Sequence, residues 1–144
     1  MYLSTQCTLT IEAPNVFFYK TDVTSRPAVK ESASQIKRDH GIATILINNA
    51  GVANPGTVLD EPEEKIRLTM EVNTLAHFWT VKEFLPGMIQ KDHGHIVTVA
   101  SLASFVSFGE ITDYSCSKAS ALAFHEGLSQ EIRHWYKSKK IRTR

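Results

Sequence analysis

Residues 42–51 read Ile42-Ala43-Thr44-Ile45-Leu46-Ile47-Asn48-Asn49-Ala50-Gly51. A continuous apolar and β-branched run that ends in small and amide side chains has the pattern of a parallel strand covered on both faces. Downstream, after the turn Asp92-His93-Gly94, His95-Ile96-Val97-Thr98-Val99-Ala100 repeats it. Upstream, the aromatic run Asn15-Val16-Phe17-Phe18-Tyr19-Lys20 reads as a further buried strand. Between these runs the period changes to that of a helix. Ser25 offers an N-cap, Pro27 stands in the first turn, and Ala28, Val29, Ala33 and Ile36 form a stripe that Gly41 ends. Glu61 to Asn73 reads as helical. Thr74 to Ile89 continues through Leu75, Phe78, Val81, Phe84 and Leu85, with Pro86-Gly87 expected to bend or end it. A last long helix spans about Asp113 to Trp135, and the tail turns extended near Lys140 to Thr143. Strands alternating with helices predict an α/β fold with a doubly wound parallel sheet.

The 144-residue chain is the length of a single domain, and it carries 42% hydrophobic and 22% charged residues. That composition excludes a disordered or low-complexity chain. Sixteen basic against fifteen acidic residues leave a formal charge of +1, so nothing electrostatic points to nucleic acid. Cys7 and Cys116 are too few for a disulfide-stapled secreted domain. No run is long enough to span a membrane, and residues 1–14 lack the basic and apolar regions of a signal peptide. The expected location is therefore the cytoplasm. His40, His77, His93, His95, His125 and His134 show no ligand spacing, so no metal site is expected. Cys116 is expected as a small buried helix residue, and the basic end as a solvated helix terminus.

Four places carry candidate chemistry. Tyr114-Ser115-Cys116-Ser117-Lys118 sets a phenol and an ammonium one helical turn apart on one face, where the cation favours the phenolate. Ser101 lies thirteen positions before Tyr114, just past a strand end, where α/β sheets present side chains to ligands. Asn73, inside a helix, brings an amide able to hold a water or a backbone carbonyl. Asn48-Asn49-Ala50-Gly51 lets a flat ligand approach the backbone. Singly, each has an ordinary structural explanation: a chance helical pair, a cap, a solvated amide, a turn.

Taken together and in order, these residues resemble the short-chain dehydrogenases/reductases, in particular retinol-dehydrogenase-like and 17β-hydroxysteroid-dehydrogenase-like members. The resemblance runs from about Asn15 to Arg144. It rests on Thr21-Asp22-Val23-Thr24, Asn48-Asn49-Ala50-Gly51, Val72-Asn73, Ala100-Ser101 and Tyr114-x-x-x-Lys118. It implies an oxidoreductase that moves hydride between NAD or NADP and a small apolar alcohol or carbonyl substrate, retinoid-, steroid- or lipid-like. By the same resemblance Tyr114 is the acid/base, and Lys118 supports it and holds the nicotinamide ribose. Ser101 holds the substrate oxygen, and Asn73 anchors a water leading to Lys118. Asp22 and Val23 contact the adenine, while Asn49, Ala50 and Gly51 lie along the ribose. A homo-oligomer through the helices around Phe78 and Phe124 is implied as well.

The family also opens with a β-α-β unit bearing a Thr-Gly-x-x-x-Gly-x-Gly turn, whereas the sole glycine before Asn49 is Gly41. The expectation is thus one incomplete NAD(P)-binding Rossmann-type domain over residues 1–144, lacking that unit and the C-terminal strands. The family's strand order would then leave a gap of about 14 Å between the runs at 15–20 and 42–47. Either the first run moves beside the second, or residues 5–11 fill in as a strand, or the chain is unstable. The alternative function is that of a catalytically inactive fragment acting as an interaction module with full-length relatives.

Overall fold

A computed structural model describes residues 15–144. Helix α1, Arg26–His40, begins as expected: Ser25 is extended, its Oγ accepts the Ala28 N–H, and Pro27 follows in the first turn. Lys37, Arg38 and His40 oppose the negative end of the helix dipole, and Gly41 ends it at φ 83°. Strand β1 is Ile45–Asn48. Helix α2, Glu63–Met70, runs through a π-helical turn, Glu71–Leu75, into α3, Ala76–Lys91. Strand β2, Gly94–Thr98, is followed by a 3-10 turn at Leu102–Ser104, then by α4, Thr112–His134, and β3, Ile141–Thr143.

The sheet is parallel in the order β1-β2-β3, with Ile45 opposite His95 and Gly94 opposite Ile141. Helices α3 and α4 cover one face. Val81, Leu85 and Met88 of α3 meet Leu128 and Ile132 of α4 over Ile96 and Ile141. The helix packs so closely that a Cβ on Gly94 would come within 2.7 Å of Met88 Sδ. The α/β parallel architecture read from the sequence is the observed one, and the extended tail is strand β3.

Two local expectations fail for identifiable reasons, and a third is narrowed. The run at Asn15–Lys20 joins no ladder among the described residues; it lies along α1 instead. There the Tyr19 hydroxyl donates to Asp39 (2.9 Å), Phe17 stacks on His40 (4.2 Å) and Thr21 meets Ser32. An aromatic segment with no neighbouring strand covers part of its surface on the nearest helix. Residues 5–11, the alternative filler, lie outside the described residues. Second, the 42–47 run is covered on one face only: Ile45 and Ile47 are 60% and 59% exposed, while Leu46 packs against the core. Third, of the two outcomes expected at Pro86-Gly87, a bend or an end, the end does not occur: α3 continues to Lys91. Core packing of Val81, Leu85 and Met88 outweighs the roughly 3 kcal/mol that an interior proline costs.

Ile96→Ala should lower unfolding stability by roughly 2–5 kcal/mol in urea titrations. Ile47→Thr, on the uncovered face, should stay within about 0.5 kcal/mol.

Candidate active site

In a right-handed crossover, a helix that returns beside parallel strands starts near their C-terminal ends. Helices α3 and α4 therefore run side by side. Asn73 and His77 line one stripe, which meets Ser117 and Phe124 of α4, while Lys118 and His125 on the neighbouring stripe reach Val99 and Thr98 at the end of β2; residues three and four apart share a helix face. The ends of β1 and β2 close the space beneath, where Asn48 pairs in register with Thr98.

Asn73 is fully buried, and its amide is almost wholly used. Oδ1 accepts the Val52 N–H (2.8 Å), while Nδ2 donates to the Val52 carbonyl (2.8 Å) and to Ser117 Oγ (2.9 Å). Both amide hydrogens thus go to protein acceptors, and one Oδ1 lone pair remains. Ser117 Oγ in turn donates to the Tyr114 carbonyl (2.7 Å), and Thr74 Oγ1 donates to the Ser117 carbonyl. The π-helical turn supplies the wide backbone from which Asn73 reaches the loop. Ser117, fully buried, is a member of this network that the sequence reading missed; its only signal was a small side chain next to Lys118.

Lys118 is only 4% exposed, and its Nζ donates to the Val99 carbonyl (2.9 Å). The same ammonium lies 5.9 Å from the centre of the Tyr114 ring. A Cβ on Gly51 would stand 3.6 Å from Lys118 Nζ and 3.5 Å from Asn73 Oδ1. The turn at Asn49, Ala50 and Gly51 is exposed, and so forms an open shelf over the buried cation. Ser101 caps the 3-10 turn, its Oγ accepting the Ala103 N–H, and Ser104 Oγ of that turn donates to the Lys118 carbonyl.

The fold brings Asn73, Ser101, Tyr114, Lys118 and the Asn49–Gly51 turn to one end of the sheet. Asp22 and Val23 stand apart, on the loop before α1, and no hydrogen bond among the described residues joins them to that group. Asp22 Oδ1 accepts the N–H and the hydroxyl of Thr24, which hold its carboxyl below the usual carboxylate range. Cys116 faces outward and is exposed, contrary to the expectation of burial; the buried face of this turn belongs to Ser115, Ser117 and Lys118.

Behind Lys118 lies His77, 2% exposed and against the Phe124 ring at 5.8 Å. Burial, helped by the charge of Lys118, pushes its pKa down to about 4. On the same side, His125 Nδ1 bonds Thr98 Oγ1 (3.0 Å), and burial lowers its pKa too. Among the described residues no helix is long and apolar enough to cross a membrane.

The sequence profile of short chain dehydrogenases matches residues 4–142. Dehydrogenase RED3 of Cochliobolus heterostrophus is 53% identical over 135 residues, 94% of this chain and 69% of its own length. Retinol dehydrogenase 10-A of Danio rerio is 48% identical over 83% of this chain, which covers 35% of that protein. Among solved structures, a metagenomic short-chain oxidoreductase in complex with NADP superposes with a TM-score of 0.80 at 25% identity, over 87% of this chain and 55% of its own. The chain thus spans between about a third and two thirds of the length of these relatives.

The low His77 value fixes a pH dependence. Between about 4 and the ordinary histidine value of 6.5 the unfolded chain binds more protons than the folded one, so stability rises with pH there. Denaturant midpoints should be level above pH 6.5 and fall as the pH drops toward 4. His77→Phe should flatten that slope.

Proposed function

This chain belongs to the short-chain dehydrogenase family, and we propose that it serves an NAD(P)-dependent oxidoreductase that interconverts an alcohol and a carbonyl compound. The supporting observation is the convergence on Lys118: a buried ammonium with Tyr114 one turn away, Gly51 facing its Nζ, and Asn73 fixing the adjoining loop. The residues present fit the nicotinamide–ribose part of the cofactor. A Cβ at Gly51 would stand at ordinary van der Waals distance from Lys118 Nζ and Asn73 Oδ1, so the backbone of this exposed turn lies directly beside the ammonium. Asn49, Ala50, Gly51, Tyr114 and Lys118 would hold the ribose, and Asp22 with Val23 the adenine. The bound nicotinamide, of NAD or NADP, supplies the hydride donor or acceptor.

The chain's own residues handle orientation and the proton. Ser101 Oγ holds the substrate oxygen. The Tyr114 hydroxyl gives that oxygen a proton during reduction and takes one during oxidation. Lys118, fixed by Val99, stabilises the negative charge left on the Tyr114 oxygen and donates to the ribose. Asn73 holds the 49–52 turn against this site. A small apolar substrate, retinoid-, steroid- or lipid-like, is favoured by the likeness to a protein named retinol dehydrogenase.

A second feature favours self-association. Phe78, Val81, Leu85, Ile89, Phe124 and Leu128 line an apolar groove of about 760 Å³ between α3 and α4. A second copy covering it would make a homo-oligomer through the helices around Phe78 and Phe124. Sedimentation should show a dimer that Phe78→Lys shifts toward monomer. A wild-type monomer at high concentration would remove this part of the reading.

In a preparation that turns over NAD(P)H with an apolar aldehyde or ketone, Tyr114→Phe should lower kcat about 10²–10⁴-fold while changing cofactor affinity far less. Lys118→Met should harm both. Wild-type turnover by folded Tyr114→Phe protein would overturn the assignment. No Thr-Gly-x-x-x-Gly-x-Gly turn occurs in the 144 residues, so the chain alone should bind NADH weakly in fluorescence titrations.

A further inference from the structure

Two separate holds on Lys118 come from one short stretch of chain. Lys118 Nζ donates to the Val99 carbonyl (2.9 Å), and the Lys118 carbonyl accepts from Ser104 Oγ (3.0 Å). Ser101 stands between these two points. Within a helix a carbonyl already serves the N–H four residues on, and its second lone pair is open to a side chain. On its other side Ser104 is bound to Ser101 twice. Its Oγ accepts the Ser101 N–H at 3.4 Å, and its own N–H donates to the Ser101 carbonyl at 3.0 Å. A single hydroxyl thus links the backbone of Ser101 to the part of α4 that carries Tyr114 and Lys118.

Packing gives this stretch little support. Of the 3-10 turn only Ala103 is buried; Leu102 is 82% exposed, and Phe105 just after it is 74% exposed. Among the described residues, the Ser104–Lys118 bond is the one hydrogen bond that leaves residues 101–106 for another element. Ser101 Oγ has one lone pair committed to the Ala103 N–H (3.1 Å), and its hydrogen meets no protein acceptor among the described residues. Where that free O–H points depends on where the turn stands, and Ser104 ties the turn in place.

We propose that Ser104 is a positioning residue: its hydroxyl clasps the turn of Ser101 to α4 and so fixes the Ser101 hydroxyl against Tyr114 and Lys118. The clasp belongs to the chain as such; its effect on turnover rests on the oxidoreductase reading. On that reading the substrate oxygen must meet the Ser101 and Tyr114 hydroxyls at once, one carried by the turn and the other by α4. Thirteen positions separate the two along the chain, so the covalent connection alone does not fix their distance. A hydrogen bond between the two elements does. Misplacing a reacting group by about 1 Å costs up to about 10²-fold in rate, so such a tie bears on rate more than on stability. Ser104 spends its hydrogen and a lone pair within the protein, and it acts through Ser101.

The clasp is tested by NMR on the 144-residue chain. In Ser104→Ala the Lys118 carbonyl carbon should shift upfield and the Ser101 amide should exchange faster with solvent, while the Ile96 amide keeps its protection. Ser104→Thr, which retains the hydroxyl, should hold both at their wild-type values. An unmoved Lys118 carbonyl in folded Ser104→Ala overturns the clasp. Ser104→Gly removes the same hydroxyl and decides the matter if the alanine variant fails to fold. In a preparation that turns over NAD(P)H with an apolar aldehyde, Ser104→Ala should lower kcat/KM for the aldehyde roughly tenfold. Affinity for NAD(P)H should stay unchanged, and Ser104→Thr should restore the rate. In a Ser101→Ala background the same alanine change should cost far less, because the hydroxyl it places is gone. An equal factor in both backgrounds, or wild-type turnover by Ser104→Ala, overturns the positioning role. Indifference of turnover to Tyr114→Phe overturns the oxidoreductase reading and leaves the NMR result standing.

Discussion

An ammonium withdrawn from water costs several kcal/mol unless fixed dipoles replace its hydration. The structure around Lys118 is organised by that demand. No carboxylate pairs with it among the described residues, where the ion pair is Arg67–Glu63 on an exposed helix surface. Its partner is the Val99 carbonyl, and the Val99 N–H in turn donates to the Asn48 carbonyl at the end of β1. One residue thus ties the first two strands to α4. Ser104 secures the Lys118 carbonyl, and Ser117 secures the turn before it to Asn73. Loss of any of these ties moves the ammonium relative to Tyr114, so the geometry of the site and the junction of β1, β2, α3 and α4 form a single constraint.

What could be read from the sequence follows from this layering. Helix α1 was legible because its cap, first-turn proline and terminal glycine act locally. Strands β1 and β2 were legible because their central residues are apolar whichever elements cover them. The burial of each face was not, since Ile45 and Ile47 carry no mark of whether a layer lies over them. Asn15–Lys20 has the composition of a strand, yet a strand exists only where a neighbour offers a ladder, and here α1 offers the nearer surface. Cys116 was misjudged: this small side chain points outward while the charged Lys118 beside it is buried. The stripe that includes Tyr114 and Lys118 must face the sheet, and a residue between them in sequence points away from it.

The site itself was legible as a set of residue types and much less as a network. Tyr114, Lys118, Asn73, Ser101 and the 49–51 turn were named from their order along the chain. Ser117, Val52 and Val99 were not, because two act through backbone atoms that any residue carries and the third is a common small hydroxyl. His77 was dismissed for lacking metal-ligand spacing. His77 stands four residues from Asn73, the same interval that separates Tyr114 and Lys118.

That repetition has a structural origin. Parallel strands joined by right-handed crossovers force the intervening helices to run parallel to each other, and to begin near the same end of the sheet. Two parallel helices then present matching ladders of side chains, one rung per turn. The first rung, Asn73 with Ser117, is closed by a hydrogen bond, and a rung further down, His77 with Phe124, is a ring contact in which both imidazole nitrogens are buried. Beyond it Val81, Leu85 and Leu128 are wholly apolar. Polarity therefore declines stepwise from the mouth of the site into the core, and His77 occupies the step at which it changes. A charge is unfavourable at that step, while a neutral group able both to donate and to accept is compatible with either side.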